Sequence, residues 1–511
     1  MKQILKLLFL LLSIGIGQAQ NPFLPPYAFI PDGEPHVFNV NGEERLFIYG
    51  SRDDRVTAYC GEGHDLWSAP VNDLTKWTNH GEIFNIKQVQ DFGYGKVKNQ
   101  HFGAPDCVYN PVTKKYYFYT FLGASYKFDG IQGPKKDSVN FSETFGDFGP
   151  KCVMAQSDYP LGPFTSPVMC DWEVDNAAGT FDPSVIVVNQ PDGTIRVWAF
   201  WGMRRGDRWA EIDPIDMHTV INSFTRKPDR KSTYKTLNNP TVNNNATLFE
   251  ASSIKQVANN KFVFIFSPNG KINALSYCHS NSPEGPWMYG GVIVNNSKYW
   301  SGGNNHGSIV KVKDQWYVVY HRQSPNSFNR QAMIEPIDLK IEGDKVVIPE
   351  VEMTSQGVFK DGLPFSKRHY AGIVCHVEGK AFVDGKRRVK DGYNPVVVDS
   401  AGATLGYKYF NFGKVKLKNL TFILNAQASN KFNIKIEVMP NGESKRILIA
   451  EQELMPSSKG KDIFEDYKLS VKDVNKRSEL KNLGGLSGSM AVFINIKPFG
   501  SKVEIRELEM K

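Results

Sequence analysis

Apolar and polar positions alternate in short runs along almost the whole chain, and between Pro31 and Gln323 the alternation keeps returning in one form. A polar or acidic start leads into an apolar run of strand length. A turn of Gly, Asn or Asp follows, then a second run rich in Tyr, Phe, Trp and Val. PDGEPHVFNVNGEERLFIYGSRDD, from Pro31, is the first such unit. GAPDCVYNPVTKKYYFYTFLG begins at Gly103, GTFDPSVIVVNQPDGTIRVWAFWG at Gly179, TLFEASSIKQVANNKFVFIFS at Thr247 and GGNNHGSIVKVKDQWYVVYHRQ at Gly302. Two half-buried runs on either side of a tight turn predict an antiparallel hairpin. The outer parts repeat too: SDYPLGPF, from Ser157, resembles SNSPEGPW, from Ser280. A period of about 56 to 76 residues, with about four strands per unit, predicts propeller blades. Five units predict a five-bladed β-propeller over residues 20–358.

In a propeller the innermost strand of each blade lines the central channel, so the residues that open those strands meet at one mouth. Asp32, Asp106, Asp182, Glu250 and His306 hold those positions. A lone carboxylate at a strand start is a turn residue; several on one axis suit acid/base cleavage of a glycosidic bond. After the fifth unit, IDLKIEGDKVVIPEVEMTSQG reads as a closing strand and residues 359–368 as a linker. KVKLKNLTFILNA, FNIKIEVM, RILIAEQEL, SMAVFINIK and KVEIREL then alternate with period two, predicting a jelly-roll-like β-sandwich over 369–511. The fold class is therefore all-β, and 511 residues are too many for one ordinary core.

The first 19 residues have a different character. Lys2 and Lys6 precede the apolar run Leu7–Leu12, and Gly17-Gln18-Ala19 is a small-x-small cleavage site, so a signal peptide and export to periplasm or medium are expected. The run is too short to span a bilayer. The net charge of +8 is spread along the chain, which argues against nucleic acid as a partner. Six cysteines lie scattered with no CxxC pair; spacing allows one or two disulfides without assigning them, and single buried thiols are the simpler reading.

The motifs PDGEPHVF, GAPD, FDPSV, FEASSIKQV, NNHGSIV and WYVVYHR, in that order, resemble glycoside hydrolase family 43 over residues 21–357. The resemblance implies an inverting glycosidase with Asp32 as general base, Glu250 as general acid and Asp182 raising the pKa of the acid. The first motif departs from the family's Asp-Pro. Aligning on Pro35 makes Glu34 the base; counting back from Val37 and Phe38 without a gap makes it Asp32. Asp32 is the reading adopted, with Glu34 contacting sugar hydroxyls. The same resemblance makes Asp106 and Arg330 substrate contacts and gives His306 a part in supporting a calcium ion in the channel. Imidazole alone would not hold calcium, which prefers oxygen ligands. No organic cofactor is implied. Trp67, Phe102, Phe181 and Trp201 are candidate sugar-stacking walls. ATLGYKYFNFG, from Ala403, resembles carbohydrate-binding modules of family 6. The expected substrates are plant-type poly- or oligosaccharides carrying arabinofuranosyl or xylosyl units. Galactan- or galactofuranose-acting relatives, endo-acting arabinanases, a non-catalytic glycan binder and a propeller used for protein interaction stay open.

Overall fold

The computed structural model describes residues 20–92, 100–124, 151–170, 172, 180–203, 208–222, 248–270, 272–386, 394–415, 420–457, 463–470 and 486–511. The expected signal segment lies outside them.

The repeat becomes five blades. The first is β1 (Glu34–Val40), β2 (Glu43–Tyr49), β3 (Gly63–Pro70) and β4 (Thr78–Asn85). The second is β5 (Gln100–Asn110), β6 (Lys115–Ala124), β7 (Lys151–Ser157) and β8 (Thr165–Met169). The third is β9 (Ser184–Asn189), β10 (Ile195–Trp201), β11 (Arg208–Ile212) and β12 (Val220–Asn222). The fourth is β13 (Leu248–Ala258), β14 (Lys261–Pro268), β15 (Ala274–Ser280) and β16 (Met288–Asn295). The fifth has three strands, β17 (Ser308–Val312), β18 (Gln315–Gln323) and β19 (Arg330–Ile337). Each blade is an antiparallel meander in sequence order, and the innermost strands β1, β5, β9, β13 and β17 neighbour one another in a closed ring.

The residues expected to supply a closing strand do something else. Lys340–Glu342 and Lys345–Val347 form a separate hairpin, and Val351 makes one parallel bridge to Val294 on β16. The open edge of β19 is covered by the first described residues. Phe23 N–H donates to the Ala332 carbonyl (3.2 Å), and the Asn21 carboxamide both donates to and accepts from the Ile334 backbone (2.8 and 2.9 Å). That tie joins the beginning of the chain to the last blade and protects an otherwise exposed edge.

Alternation along the strands sends side chains into the gaps between blades, where they form separate cores. Phe47, Tyr49, Phe102 and Phe118 fill the gap between blades one and two; Tyr119, Cys152, Val197 and Trp201 that between two and three. Ile186, Trp198, Phe264 and Trp287 fill the next gap, and Leu46, Ile48, Trp67, Val319 and Ile334 the gap from blade five back to one. All six cysteines are buried and none forms a disulfide, the simpler of the two sequence readings.

The C-terminal strands make one ten-stranded sheet rolled around its own core, as the alternating runs predicted. The 20-residue strand Val396–Val415 is shared by several neighbours. Leu363–Pro364 pairs in parallel with Phe410–Asn411. This core is continuous with the one between blades four and five, running from Ile265 and Met333 through Tyr370 to Ile494.

One backbone feature recurs at the channel mouth. Each blade has a left-handed residue that is not glycine before or early in its innermost strand: Asp32 (φ 56°), Asp182 (48°) and Asn304 (72°) precede β1, β9 and β17, and Ala104 (44°) and Ala251 (71°) sit at register shifts within β5 and β13. Such residues are uncommon, and each costs roughly 1–3 kcal/mol.

Candidate active site

Three of these corners, Asp32, Asp182 and Asn304, line a cavity of about 550 Å³. Asp32, Asp182, Glu250, His306 and Arg330 all line it, as do Tyr59, Phe121, Phe181, Phe249 and Asn304. Of the four aromatic residues picked out in the sequence, only Phe181 reaches this wall. Trp67, Phe102 and Trp201 are buried in the cores between blades.

Asp32 is buried and accepts a hydrogen bond from Arg330 Nη1 (2.7 Å). Arg330 is itself buried and held by a fork: Nε and Nη2 each donate to Asp53 at 2.9 Å. Its backbone N–H donates to the same carboxylate (2.9 Å), and the guanidinium lies over the Tyr59 ring, 4.7 Å from the centroid. Burial, the largest influence, pushes the Asp32 carboxyl up. Arg330 opposes it most strongly, and together with His321, His306 and Ser51 it overcomes burial and holds Asp32 at about 2. Asp32 is thus ionised at any working pH. Arg330, expected to reach for substrate, spends its donors on Asp53, Asp32 and Asn304 Oδ1 (3.3 Å).

The histidines beside Asp32 are neutral. Asp32 N–H donates to His321 Nδ1 (3.2 Å), so the ring proton sits on Nε2, which pairs with Asn304 Oδ1 (2.6 Å). Burial, then Arg330, pushes His321 well below its usual value. His306 Nδ1 lies 3.7 Å from Asp32 Oδ1 and 3.8 Å from Asp182 Oδ2, too long for hydrogen bonds. Burial lowers His306 to about 4.

Asp182 and Glu250 have the opposite surroundings. Ala251 N–H donates to Asp182 Oδ2 (2.7 Å), and Asn304 Nδ2 donates to Glu250 Oε1 (2.8 Å). Burial pushes the Asp182 carboxyl well above the usual range, and the charges of Glu250 and Asp32 add to it. A charge on either member of this pair disfavours a charge on the other. Asn304 therefore bridges two unlike halves, with Arg330 and His321 on its oxygen and Glu250 on its nitrogen.

Glu34 and Asp106 do not line the cavity. They sit further along the channel in a buried cluster contributed by the innermost strands. Asp106 Oδ1 pairs with His36 Nε2 (2.9 Å), and its Oδ2 accepts from Val185 N–H (2.7 Å) and Ser184 Oγ (3.1 Å). Glu34 contacts the Lys255 ammonium and accepts from Ser253 Oγ (3.2 Å). Burial raises Glu34 to about 7 despite Lys255. These side chains knit neighbouring blades together, and their placement removes both from the expected substrate contacts.

Residues 30–344, well over half the chain, match the sequence model described as "Glycosyl hydrolases family 43". The chain belongs to glycosyl hydrolase family 43. It is a glycosidase of that family with a β-sandwich attached. A "Xylosidase/arabinosidase" of Thermoclostridium stercorarium is 29% identical over 452 residues, 78% of this chain and 84% of the relative. An "Arabinoxylan arabinofuranohydrolase" of Paenibacillus polymyxa is 24% identical over 320 residues, 58% of this chain but 44% of the relative. Among solved structures, the family 43 arabinoxylan arabinofuranohydrolase of Bacillus subtilis in complex with cellotetraose aligns over 97% of this chain and 98% of its own, with TM-score 0.45 and 19% identity.

The family 43 resemblance also implied calcium, and the donor set can be tested against it. Calcium takes roughly six to eight oxygens. Beside His306 stand Asp32, already paired with Arg330, and Asp182. Among the described residues, the one group of three metal-capable side chains close enough to share an ion is Glu34, His36 and Asp106. There the Lys255 ammonium already contacts Glu34, with Nζ 3.3 Å from the Pro35 carbonyl and 3.4 Å from His36 Nε2. A divalent ion at that point would face a cation. The group of Glu34, His36 and Asp106 therefore does not fit calcium, and at His306 water would have to supply most of the oxygens. Exhaustive chelation is expected to leave both turnover and the thermal midpoint unchanged. A midpoint that falls with chelator and recovers with added calcium would contradict this.

Sequence reasoning passed over Asn304, His321, Asp53 and Tyr59. Asn304 and His321 lay inside the quoted motifs NNHGSIV and WYVVYHR. Asp53 is in SRDD, directly after the first hairpin.

Proposed function

We propose that this family 43 enzyme is an exported, inverting glycosidase that removes arabinofuranosyl or xylosyl units from plant-type polysaccharides or oligosaccharides. The observation that carries the reading is the unlike treatment of carboxyls around one cavity. Asp32 is held ionised by Arg330, while Asp182 and Glu250 stand together and oppose each other's ionisation. Environments that separate the proton affinities of neighbouring carboxyls assign acid and base.

In this reading Glu250, oriented by Asn304, gives its proton to the glycosidic oxygen as the bond to the anomeric carbon breaks. Asp32 takes a proton from a water whose oxygen bonds to that carbon on the opposite face. The products are a free sugar of inverted configuration and the alcohol. Asp32 is left protonated and Glu250 ionised, and exchange with solvent restores both. Asp182 stays close to Glu250 and disfavours its charge. The Thermoclostridium relative's name supports the choice of sugar, and the Lys2–Ala19 pattern supports export.

The test is hydrolysis of aryl α-L-arabinofuranoside, β-D-xyloside and β-D-galactofuranoside, with the first-formed anomer read by proton NMR. Release of α-xylose from the β-xyloside, or of β-arabinofuranose from the α-arabinofuranoside, is expected. Retained configuration would rule out Asp32 as base toward water. A lack of turnover here and on arabinan, xylan and galactan would leave a glycan-binding protein.

A further inference from the structure

We propose that the C-terminal β-sandwich is a working part of the active site: its residues Val383–Gly385 clamp the β18–β19 loop and thereby position Arg330 and the Tyr59 wall. This rests on the reading of Asp32 as base.

The chain of contacts is short. Arg330 is the first residue of β19, and the loop before it is Ser324–Asn329. That loop closes on itself through Ser324 N–H to the Asn329 carbonyl (3.0 Å). Three of its side chains, those of Ser324, Asn326 and Asn329, reach into the sandwich. Ser324 Oγ donates to the Val383 carbonyl and Asn329 Nδ2 to the Gly385 carbonyl. Asn326 Nδ2 donates to Asp384 Oδ1 (3.0 Å), and Gly385 N–H donates to Asn326 Oδ1 (3.3 Å). The fit leaves no room for a side chain at Gly385, where a Cβ would run into Ser327 Oγ and stand 3.1 Å from Ser324 Cβ.

On its other side the same loop carries the cavity wall. Phe328 N–H donates to the Val56 carbonyl (3.1 Å), and the Phe328 ring meets the Tyr59 ring edge-on with centroids 4.7 Å apart. Tyr59 Oη donates to Gln323 Oε1 (2.9 Å), the last residue of β18. One turn of chain thus touches the sandwich on one face and Tyr59 and Arg330 on the other. Next to it, Arg322 is fully buried and donates to the carbonyls of Gly372 and Val374, locking β18 to the segment that leads into the sandwich. A tethered binding module would need none of these bonds.

Truncation cannot test this, because the sandwich shares a core with blades four and five. Point changes at the clamp can. Asn326→Asp places a carboxylate against Asp384 and removes a donor; Asn326→Asp with Asp384→Asn restores a carboxylate–carboxamide pair. Gly385→Val wedges the loop from the sandwich side. The readouts are kcat, KM, the acid limb of the pH profile and the thermal midpoint, on the best aryl glycoside of the wild type. The sign of the pH effect follows from the groups facing Asp32, which are Arg330, His321, His306, Asp53, Asp182 and Cys60. Arg330 is the one full positive charge among them. If it is held less well, burial raises the Asp32 carboxyl and the acid limb moves to higher pH.

The single variants are expected to lose at least tenfold in kcat, with the acid limb moved upward, while remaining folded at the assay temperature. The double variant should recover most of the loss. Variants with a lowered midpoint but wild-type kcat and acid limb would reduce the sandwich to a support and overturn the proposal. Should Gly385→Val fail to fold, the Asn326/Asp384 pair decides alone. An inactive wild type would count against the reading of Asp32 and not against the clamp; a drop in the affinity for the free sugar product in Asn326→Asp, reversed in the double variant, would then support the clamp, and unchanged affinity would overturn it.

Discussion

Glu250→Gln is expected to lose about 10²–10⁴-fold in kcat on a substrate whose leaving group is another sugar, and far less on an aryl glycoside with an acidic phenol. The reasoning is local. Asn304 Nδ2 donates to Glu250 Oε1, and glutamine keeps an oxygen there, so the side chain has no cause to move. What disappears is the transferable proton. A sugar alkoxide is a poor leaving group and needs that proton as the bond breaks; an acidic phenolate does not. Comparing the two substrates separates proton donation from binding, because lost binding would slow both alike. Equal losses on both, or normal turnover of the natural linkage, would remove Glu250 from the role of acid.

Asp32→Asn is expected to cost a similar factor on every substrate, whatever its leaving group, because the base acts on water and not on the aglycone. Arg330 should stay in place in this variant. Its fork to Asp53 does not involve Asp32, and the asparagine oxygen can still accept from Nη1. The paired experiment is Glu34→Gln, which addresses the ambiguity of the PDGEP motif. Glu34 is bound to Lys255 in the channel and lines no part of the cavity, so its loss should lower the thermal midpoint and spare most of kcat. The reverse pattern, with Asp32→Asn active and Glu34→Gln dead, would transfer the base to Glu34.

The repeat, the blade count and the C-terminal sandwich were legible because each rests on period-two alternation between turns. Both stay visible in one sequence without knowledge of partners. Asp32, Asp182, Glu250 and His306 were legible for a related reason: equivalent positions in equivalent units meet at one place on a ring. Asp106 was misread by the same logic. It follows its blade's corner, Ala104, by two residues, and that step along the strand takes it out of the cavity and into the channel. Trp67 and Trp201 could not be told from wall residues, since sequence gives the alternation of a strand but not which face meets the next blade. The roles of His321 and Asp53 depend on partners 289 and 277 residues away, and no local pattern encodes a bond of that reach.

The left-handed corners at the channel mouth limit which residues evolution can place there. A β-branched or bulky side chain at such a φ is a true outlier, whereas Asp and Asn tolerate it and Gly is indifferent to it. Asp32 and Asp182 are themselves corner residues, and Asn304, which orients Glu250, is another. Backbone shape and chemistry thus draw on the same few amino acids. Glu is not among those that favour this conformation, and Glu250 stands one position before its corner, leaving Ala251 to make the turn. The choice of aspartate at two carboxylate positions and glutamate at the third is then set by conformation as well as by reach. A change to Glu at residue 32 or 182 would retain the acid and lose the turn that presents it.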